Sequence, residues 1–337
     1  MIIRMELGDS SYDIVLERGC LQKAGEQLNL DRKVFILTDE GVPAQYAQTV
    51  ADQCKEPHIH TVPQGEGSKS FAVLEELLTK MLELGFTRGD CVCSVGGGVV
   101  GDLGGFTAAC YMRGIDFYNI PTTILSQVDS SIGGKTAINL AGVKNIVRAF
   151  WQPKKVLIDP DTLDTLADRQ KSSGLAEAVK AGLIADPELF AMFEDFANTR
   201  APLDLEKIIA ASLIVKKTVV EQDERESGLR KILNFGHTIG HGIESVTGLL
   251  HGECVAMGMI PMCSPAVRSR LLPVLGALHL PARVHADPEE VYHAVLHDKK
   301  MGDGYVSVVS VDSIGSYKIQ KVDPAVLRYG IDVVVRL

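Results

Sequence analysis

The feature that most constrains this chain is a change of pattern part-way along it. From Met1 to about Leu166, short runs rich in β-branched residues alternate with stretches of helical spacing. Lys33 to Thr38 is predicted as a buried strand, Phe71 to Leu84 as an amphipathic helix, and Cys91 to Val95 and Lys155 to Asp159 as further strands. Such alternation implies a parallel sheet covered by helices. The opening segment, Met1 to Gly19, alternates apolar and polar residues like a strand pair. After Gly174 the strand signal fades, and helical spacing governs Asp204 to Glu221, Asn234 to Val246, Cys254 to Met262 and Pro288 to Leu296, with a late strand in Tyr305 to Ser310. The expectation is an α/β domain with a parallel, Rossmann-like sheet over residues 1–168 and a mostly α-helical domain over 169–337. The turn-rich segment Asp159 to Asp168 marks the boundary. A length of 337 residues suits two separate cores.

Charge and composition exclude several classes of function. A net charge of -9 argues against nucleic-acid binding, because such proteins present a basic face to phosphates. The most apolar stretch, Cys91 to Met112, is broken by Asp102 and by glycines and lacks the unbroken length a membrane span needs. The seven cysteines form no zinc-type pairs and sit largely in apolar runs, so they are expected as buried free thiols in a reducing, cytoplasmic compartment. No signal-peptide core is present in the opening segment.

Three of the nine histidines crowd into one short span. A helical-looking run from Arg230 to His241 carries His237 and His241, and His251-Gly-Glu253 follows. Histidines four apart project from one helix face, and neutral imidazole is a good ligand for zinc or a similar ion. Glu177, in Gly174-Leu-Ala-Glu177-Ala-Val-Lys180, offers a third ligand with an ammonium one turn away. Inert burial of this segment would strand Arg230, Asn234 and Glu244 as well.

The first half carries a glycine loop. Gly96-Gly97-Gly98-Val-Val-Gly101-Asp102 follows a strand and satisfies G-x-G-x-x-G, whose glycines let backbone amides approach a pyrophosphate. Asp39, at the end of an earlier strand, is a better ribose partner than Asp116. Glu66 and Lys69 place an acid and a base before a helix, and Thr122 and Thr123 add hydroxyls. Gly133-Gly134-Lys135-Thr136 lacks the preceding glycine of a phosphate-binding P-loop, which excludes a nucleotide triphosphatase. Lys135, Lys144, Asn145, Lys180, Lys216, Arg230 and Lys300 supply groups suited to a small phosphorylated or carboxylated substrate. With the glycine loop in one half and the histidines in the other, a site between domains is expected.

Along nearly its whole length the chain resembles 3-dehydroquinate synthase, a sugar-phosphate cyclase family. The resemblance runs through Pro63-x-Gly-Glu66-x-x-Lys69, the Gly96 to Asp102 loop, Tyr111-x-Arg113-Gly, Pro121-Thr-Thr and Gln127-Val-Asp129-Ser-Ser-Ile-Gly-Gly-Lys135-Thr. It continues through Lys144-Asn145, Ala176-Glu177-x-x-Lys180, Asp223-Glu-Arg-Glu-x-Gly-x-Arg230, Leu233-Asn234-Phe-Gly-His237-Thr-x-Gly-His241, His251-Gly-Glu253 and Asp298-Lys-Lys300. It implies an NAD-binding α/β domain, a helical metal domain binding Zn2+ or Co2+, and a homodimer. By resemblance the metal ligands are Glu177, His237 and His251, and His241 turns to the substrate. Asp39, Glu66, Lys69, Gly97, Gly98, Asp102, Thr122, Thr123, Lys144 and Thr165 are implied near NAD. Asp129, Lys135, Asn145, Lys180, Lys216, Arg230, Asn234, His241 and a late lysine, Lys299 or Lys300, are implied around the substrate, with Arg113 reaching in from a partner subunit.

The implied reaction turns 3-deoxy-D-arabino-heptulosonate 7-phosphate into 3-dehydroquinate and phosphate. NAD takes hydride from carbon 5, the metal polarises the resulting ketone, phosphate leaves by elimination, hydride returns, and ring opening with aldol closure builds the carbocycle. Two departures stand out. Ala137-Ile138-Asn139 stands where the family usually has Gly-Val-Asn, Arg148 stands where glycine is common, and the segment after Gly258, with Pro261 and Pro265, looks shortened. The rival readings are a cyclase acting on a sugar phosphate without a carboxylate, which Arg230 and Asn234 oppose, a metal-dependent polyol dehydrogenase, and a binding protein without turnover.

Overall fold

The protein, seen here as a computed structural model, is described over residues 1–298 and 304–336. It divides into two compact units, Met1–Leu166 and Ala167–Leu337, which places the division two residues before the expected boundary.

The N-terminal unit is built on strands β1 (Ile2–Met5), β2 (Tyr12–Leu16), β3 (Lys33–Asp39), β4 (Glu56–Val62), β5 (Cys91–Gly96), β6 (Asp116–Pro121) and β9 (Lys155–Ile158). They form one sheet in the order β1-β2-β9-β6-β5-β3-β4. Every pairing is parallel except β1 with β2, whose polar–apolar alternation marks an antiparallel edge pair. Helices α1 (Ala24–Gln27), α2 (Ala44–Ala51), α3 (Phe71–Glu83) and α4 (Gly98–Cys110) accompany the sheet. Strand β3 shows why it reads as an unbroken apolar run: Val34 and Ile36 enter one core with α2, whereas Phe35 and Leu37 enter another with α3 and α4. In α3 the Ser70 hydroxyl caps the start by accepting from the Val73 N–H, and Leu74, Leu77 and Met81 form its buried stripe. An antiparallel hairpin of β7 (Lys135–Leu140) and β8 (Val143–Phe150) lies outside the sheet and covers part of the second core with Ile138 and Val147.

Strand order fixes where this unit can bind a ligand. From β3 the chain moves outward to β4, then returns to place β5 on the opposite flank of β3. The reversal makes a switch point between β3 and β5, and open parallel sheets bind ligands at the carboxyl ends of such strands. Asp39 ends β3, and Gly96 ends β5 just before Gly97 and Gly98.

The C-terminal unit is chiefly helical: α5 (Asp168–Ala185), α6 (Pro187–Thr199), α7 (Leu205–Gln222), α8 (His237–Thr247), α9 (His251–Met259), α10 (Pro265–Ala277), α11 (Pro288–Asp298) and α12 (Val326–Val334). Short strands β10 (Val284–His285) and β13 (Val335–Arg336) pair in parallel, and β11 (Val306–Ser310) and β12 (Lys318–Val322) pair antiparallel. Helix α5 is the centre of the unit. Residues Ser173 to Ile184 are buried without a break, so the helix has no polar face, and it packs on α6, α7 and α9.

The run from Arg230 to His241 is not the continuous helix its spacing suggested. A 3-10 segment, Leu229–Asn234, is followed by Gly236 in the left-handed region (φ 79°), and α8 starts only at His237. A side chain at Gly236 would also strike Met259 and the Val255 carbonyl of α9, so the interruption serves close packing as well as the turn. The segment after Gly258 is a 3-10 turn, Ile260–Met262, followed by Pro265 in the first turn of α10. Among the described residues, no helix is long and apolar enough to cross a membrane.

Candidate functional site

Three elements of the C-terminal unit converge on Glu177. It sits on α5 only 2% exposed, with Lys180 one turn on and 3% exposed. His237 is the first residue of α8 and His251 the first of α9. Helix α9 reaches α5 closely because Gly252 has no side chain: a Cβ there would lie 1.8 Å from the Ser173 carbonyl oxygen. The Gly252 N–H donates to the Ser173 hydroxyl (3.1 Å), and Arg169 of α5 grips Glu253 through both carboxylate oxygens (2.7 and 2.8 Å). Glu253 in turn accepts from the Leu250 N–H (3.0 Å), closing the start of α9. The motif His251-Gly-Glu253 is therefore a docking device that sets His251 beside Glu177.

The geometry suits a divalent ion. Nε2 of His237 lies 3.5 Å from Glu177 Oε1, and Nε2 of His251 lies 3.4 Å from the same oxygen. Ligand atoms around a tetrahedral zinc with bonds near 2.0–2.1 Å stand about 3.3 Å apart, so the spacing fits. One ligand atom from each of the three residues falls within 4.8 Å of the others. Both rings have their other nitrogen engaged: Nδ1 of His237 meets the Phe235 carbonyl at 3.0 Å, and Nδ1 of His251 meets Glu244 Oε2 at 2.9 Å. Acceptors there place the hydrogen on Nδ1 and leave the Nε2 lone pair for a metal. Neither Glu177 oxygen makes a well-formed hydrogen bond, an arrangement that a buried carboxylate tolerates when ion contacts replace it.

The charges around this oxygen act strongly on one another. Burial opposes ionisation of Glu177, yet Lys180, His237 and His251 hold its carboxyl well below the usual range. Burial, with Lys180 beside it, holds His237 well below the usual imidazole range, so this ring is neutral. Burial also disfavours a charged His251, but Glu177 and Glu244 outweigh it and push the pKa up to about 9, so a metal binds this ring by displacing a proton from Nε2.

His241 stays close without joining this trio. Its ring centroid is 5.2 Å from that of His237 and 5.8 Å from that of His251. It belongs instead to a second group with Glu244 and His251. Spacing on one helix face therefore did not put His241 in the group that His237 forms with Glu177 and His251. Glu244 completes the stripe His237, His241, Glu244, spaced as i, i+4 and i+7 on α8, and that spacing was the signal that could have marked it.

Arg230 is 1% exposed. Its Nη1 donates to the Glu224 carbonyl, and its backbone N–H donates to Asp223 Oδ2 at 2.9 Å. Asp223 also accepts from Ser227 and Gly228, and the Arg230 N–H, together with these two, holds its carboxyl well below the usual range. Asn234 donates to Glu226 (2.8 Å), and Lys216 is buried on α7. Lys299 and Lys300 lie outside the described residues.

In the N-terminal unit the structure gathers four of the expected groups. Buried Lys69 reaches Asp102 Oδ2 (2.6 Å), the Asn145 side-chain oxygen, and Glu66 Oε1 (3.5 Å). Asn139, not foreseen, ties them: its amide donates to Glu66 Oε1 (2.9 Å), its side-chain oxygen accepts from the Asn145 N–H (2.8 Å), and its backbone N–H meets the Lys69 carbonyl (2.8 Å). Asn145 takes a left-handed conformation (φ 55°), which asparagine tolerates. Gly97 precedes α4 and faces Thr123, while Gly98 faces Ser130, next to Asp129. The Thr122 N–H donates to the Gly96 carbonyl (2.9 Å). Asp39 caps its own turn by accepting from the Gly41 N–H (2.8 Å), and burial raises its pKa. It lines an open pocket of about 470 Å3 with Thr38, Gly41, Val42 and Thr61. Thr165 pairs with the Tyr46 hydroxyl (3.0 Å), whereas Lys135, Lys144 and Arg113 are exposed. Met112 and Arg113 both adopt positive φ (49° and 68°), a strained pair at the end of α4.

Residues 59–173 match the family 3-dehydroquinate synthase N-terminal, and residues 174–301 match 3-dehydroquinate synthase C-terminal. The chain belongs to the 3-dehydroquinate synthase family. It is 41% identical to 3-dehydroquinate synthase of Thermodesulfovibrio yellowstonii, with 94% of this chain and 95% of that protein covered. It is 42% identical to 3-dehydroquinate synthase of Enterococcus faecalis, with 95% of each covered. Among solved structures, 2-deoxy-scyllo-inosose synthase complexed with carbaglucose-6-phosphate, NAD+ and Co2+ matches with a TM-score of 0.89 at 26% identity, covering 98% of this chain and 99% of that one. The 2-epi-5-epi-valiolone synthase of Streptomyces hygroscopicus subsp. jinggangensis with NAD+ and Zn2+ matches with a TM-score of 0.86 at 27% identity, covering 97% and 96%.

Proposed function

We propose that this chain converts 3-deoxy-D-arabino-heptulosonate 7-phosphate into 3-dehydroquinate and phosphate, the family's lyase reaction and a step of the shikimate route to aromatic amino acids. The observation that carries the chemistry is the approach of two Nε2 atoms, at 3.4 and 3.5 Å, to one buried carboxylate oxygen. When bound, NAD supplies a reversible hydride acceptor and a Zn2+ or Co2+ ion polarises the oxygen on the oxidised carbon, which acidifies the neighbouring C–H bond for loss of phosphate.

The residues of this chain take the following roles in the proposal. Glu177, His237 and His251 hold the ion, and Lys180 balances the second oxygen of Glu177. Asp39, at the switch point, accepts from a ribose hydroxyl, and the N–H groups after Gly97 and Gly98 meet the pyrophosphate at the start of α4. Glu66, Lys69, Asp102, Thr122, Thr123, Lys144 and Thr165 complete the cofactor's surroundings. Arg230 takes the substrate carboxylate through its planar fork, and Lys135, Asn145 and His241 take the phosphate. Asp129, Lys216, Asn234 and the late lysine, Lys299 or Lys300, position the remaining oxygens. Arg113 enters the site of a second copy, so the working form is a homodimer. Seven free thiols, most of them buried and several with burial pushing the pKa to 11 or 12, suit a reducing cytoplasmic setting.

The likeness to two cyclases of other sugar phosphates favours a second reading, a cyclase acting on a substrate without a carboxylate. Arg230 separates the two, since its planar fork matches a carboxylate that the second kind of substrate lacks. The test incubates the protein with NAD, Co2+ and the heptulosonate phosphate, or with glucose 6-phosphate, and follows phosphate release and product mass. Phosphate with a product of the mass of 3-dehydroquinate from the first substrate alone supports the proposal; turnover of glucose 6-phosphate alone replaces it with the second reading.

A further inference from the structure

The two histidines that flank Glu177 are held in place by different means. His237 Nδ1 meets a carbonyl two residues back in its own chain segment, a neutral acceptor fixed by the turn into α8. His251 Nδ1 instead meets a carboxylate oxygen of Glu244, which comes from α8 while His251 opens α9. The Glu244 side chain is only 14% exposed, so the contact is poorly screened. We infer that Glu244 is a positioning residue for the metal centre: it accepts the Nδ1 hydrogen of His251, turns Nε2 of that ring toward Glu177, and lends negative charge to the imidazole.

This inference rests on Glu177, His237 and His251 being the ligands. It follows from where α8 puts its side chains. His237, His241 and Glu244 form one stripe, so the helix that supplies one ligand also supplies the outer partner of another. The link from α8 to α9 passes through Gly248 at φ 66°, which lets the chain turn back within a few residues and bring His251 against Glu244. Donor atoms of His241, Glu244 and His251 lie within 4.8 Å of one another, which puts Glu244 close to both a ligand and the histidine assigned to the substrate. That trio is not a second ion site. The Nδ1 atom it would need already carries the hydrogen given to Glu244, and Nε2 faces Glu177. Carboxylate partners of ligating imidazoles raise ligand basicity and fix ring orientation, and their removal weakens metal binding about 10–100-fold.

The test loads the full chain with Co2+ and challenges it with a competing chelator, for the parent, Glu244→Ala, Glu244→Gln and His237→Ala. Glu244→Ala is expected to bind Co2+ about 10–100-fold more weakly. Glu244→Gln, whose amide oxygen still accepts the hydrogen bond without the charge, is expected to fall between it and the parent, and it keeps the test open if the alanine variant fails to fold. Both changes are expected to shift the visible absorption bands of the bound Co2+, which report donor strength and which a merely structural residue would leave alone. Co2+ held within twofold of the parent with unshifted bands in both Glu244 variants, alongside loss in His237→Ala, overturns the role of Glu244 alone. Undiminished binding in His237→Ala overturns the ligand assignment beneath it.

Discussion

In the N-terminal unit Lys69 stands among Glu66, Asp102 and Asn145, and Asn139 binds the group together with hydrogen bonds from both ends of its amide. In the C-terminal unit Glu177 gathers an ammonium and two imidazoles, yet neither of its oxygens has a well-formed hydrogen bond. The first group draws Asp102 from α4 but otherwise sits on a turn and a hairpin, where the Asn145 N–H and the Lys69 carbonyl are on hand to satisfy Asn139. The second places Glu177 in the middle of α5, where backbone groups are already used, and its two histidines at the first positions of α8 and α9. A site on loops can complete itself and still adapt to a large flexible cofactor. A site on helices holds ligands rigidly toward a point and leaves their bonding capacity for what binds there.

The largest expected effect breaks the helical site. Glu177→Ala removes the carboxylate that faces buried Lys180 and a proposed ligand at once, so metal and phosphate release are expected to vanish together, with folding weakened by about 3–5 kcal/mol. Metal content by elemental analysis and chemical denaturation measure the two. His237→Ala removes metal without stranding a charge, so it abolishes activity at a smaller loss of stability. If either variant keeps a full equivalent of metal, the contrast between the units collapses.

A second test concerns the substrate's acid group. Arg230→Ala is expected to raise KM about 30-fold or more, the equivalent of about 2 kcal/mol or more for losing a buried charged contact, while leaving metal content unchanged. Unaltered kinetics would contradict the proposed orientation. Lys69→Met probes the self-satisfied site. Loss of a charge-assisted hydrogen bond amounts to about 1.5–3 kcal/mol, which read as NAD affinity is roughly a 10–100-fold drop by calorimetry, with metal binding untouched. A Lys69 variant that loses metal instead would show the two sites to be one.

How much of this was legible beforehand differs by residue. The strand β3, the helix α3 and the switch from strands to helices follow from local periodicity, which needs no partner to be read. The order β5-β3-β4 was not legible, because it depends on pairings between segments far apart in the chain. Glu177, His237 and His251 were marked by motif, but helical spacing alone pointed to His241 as a co-ligand. The structure instead groups His237 with Glu177 and His251, which α9 brings in through the contact of Gly252 with Ser173. Asn139 and Glu244 went unassigned because each acts by holding another side chain, and a partner in space leaves little trace in a linear pattern. Arg148 lies exposed on β8 opposite Ala137, and nothing in the structure explains its departure from the usual residue.

The smallest effect is expected at the rim of the helical site. Arg169 is largely exposed, so Arg169→Ala should lower stability by only about 0.5–1 kcal/mol despite its paired contact with Glu253, read as a small fall in melting temperature. Gly252→Ala, by contrast, forces α9 away from α5 and should weaken metal binding although no ligand is touched.

The central claim is that one divalent ion sits among Glu177, His237 and His251, and anomalous diffraction at the cobalt edge from Co2+-loaded crystals tests it most directly. One strong peak is predicted at about 2.0–2.2 Å from Glu177 Oε1, His237 Nε2 and His251 Nε2. A peak elsewhere in the chain, with these three atoms facing only one another, would contradict the account.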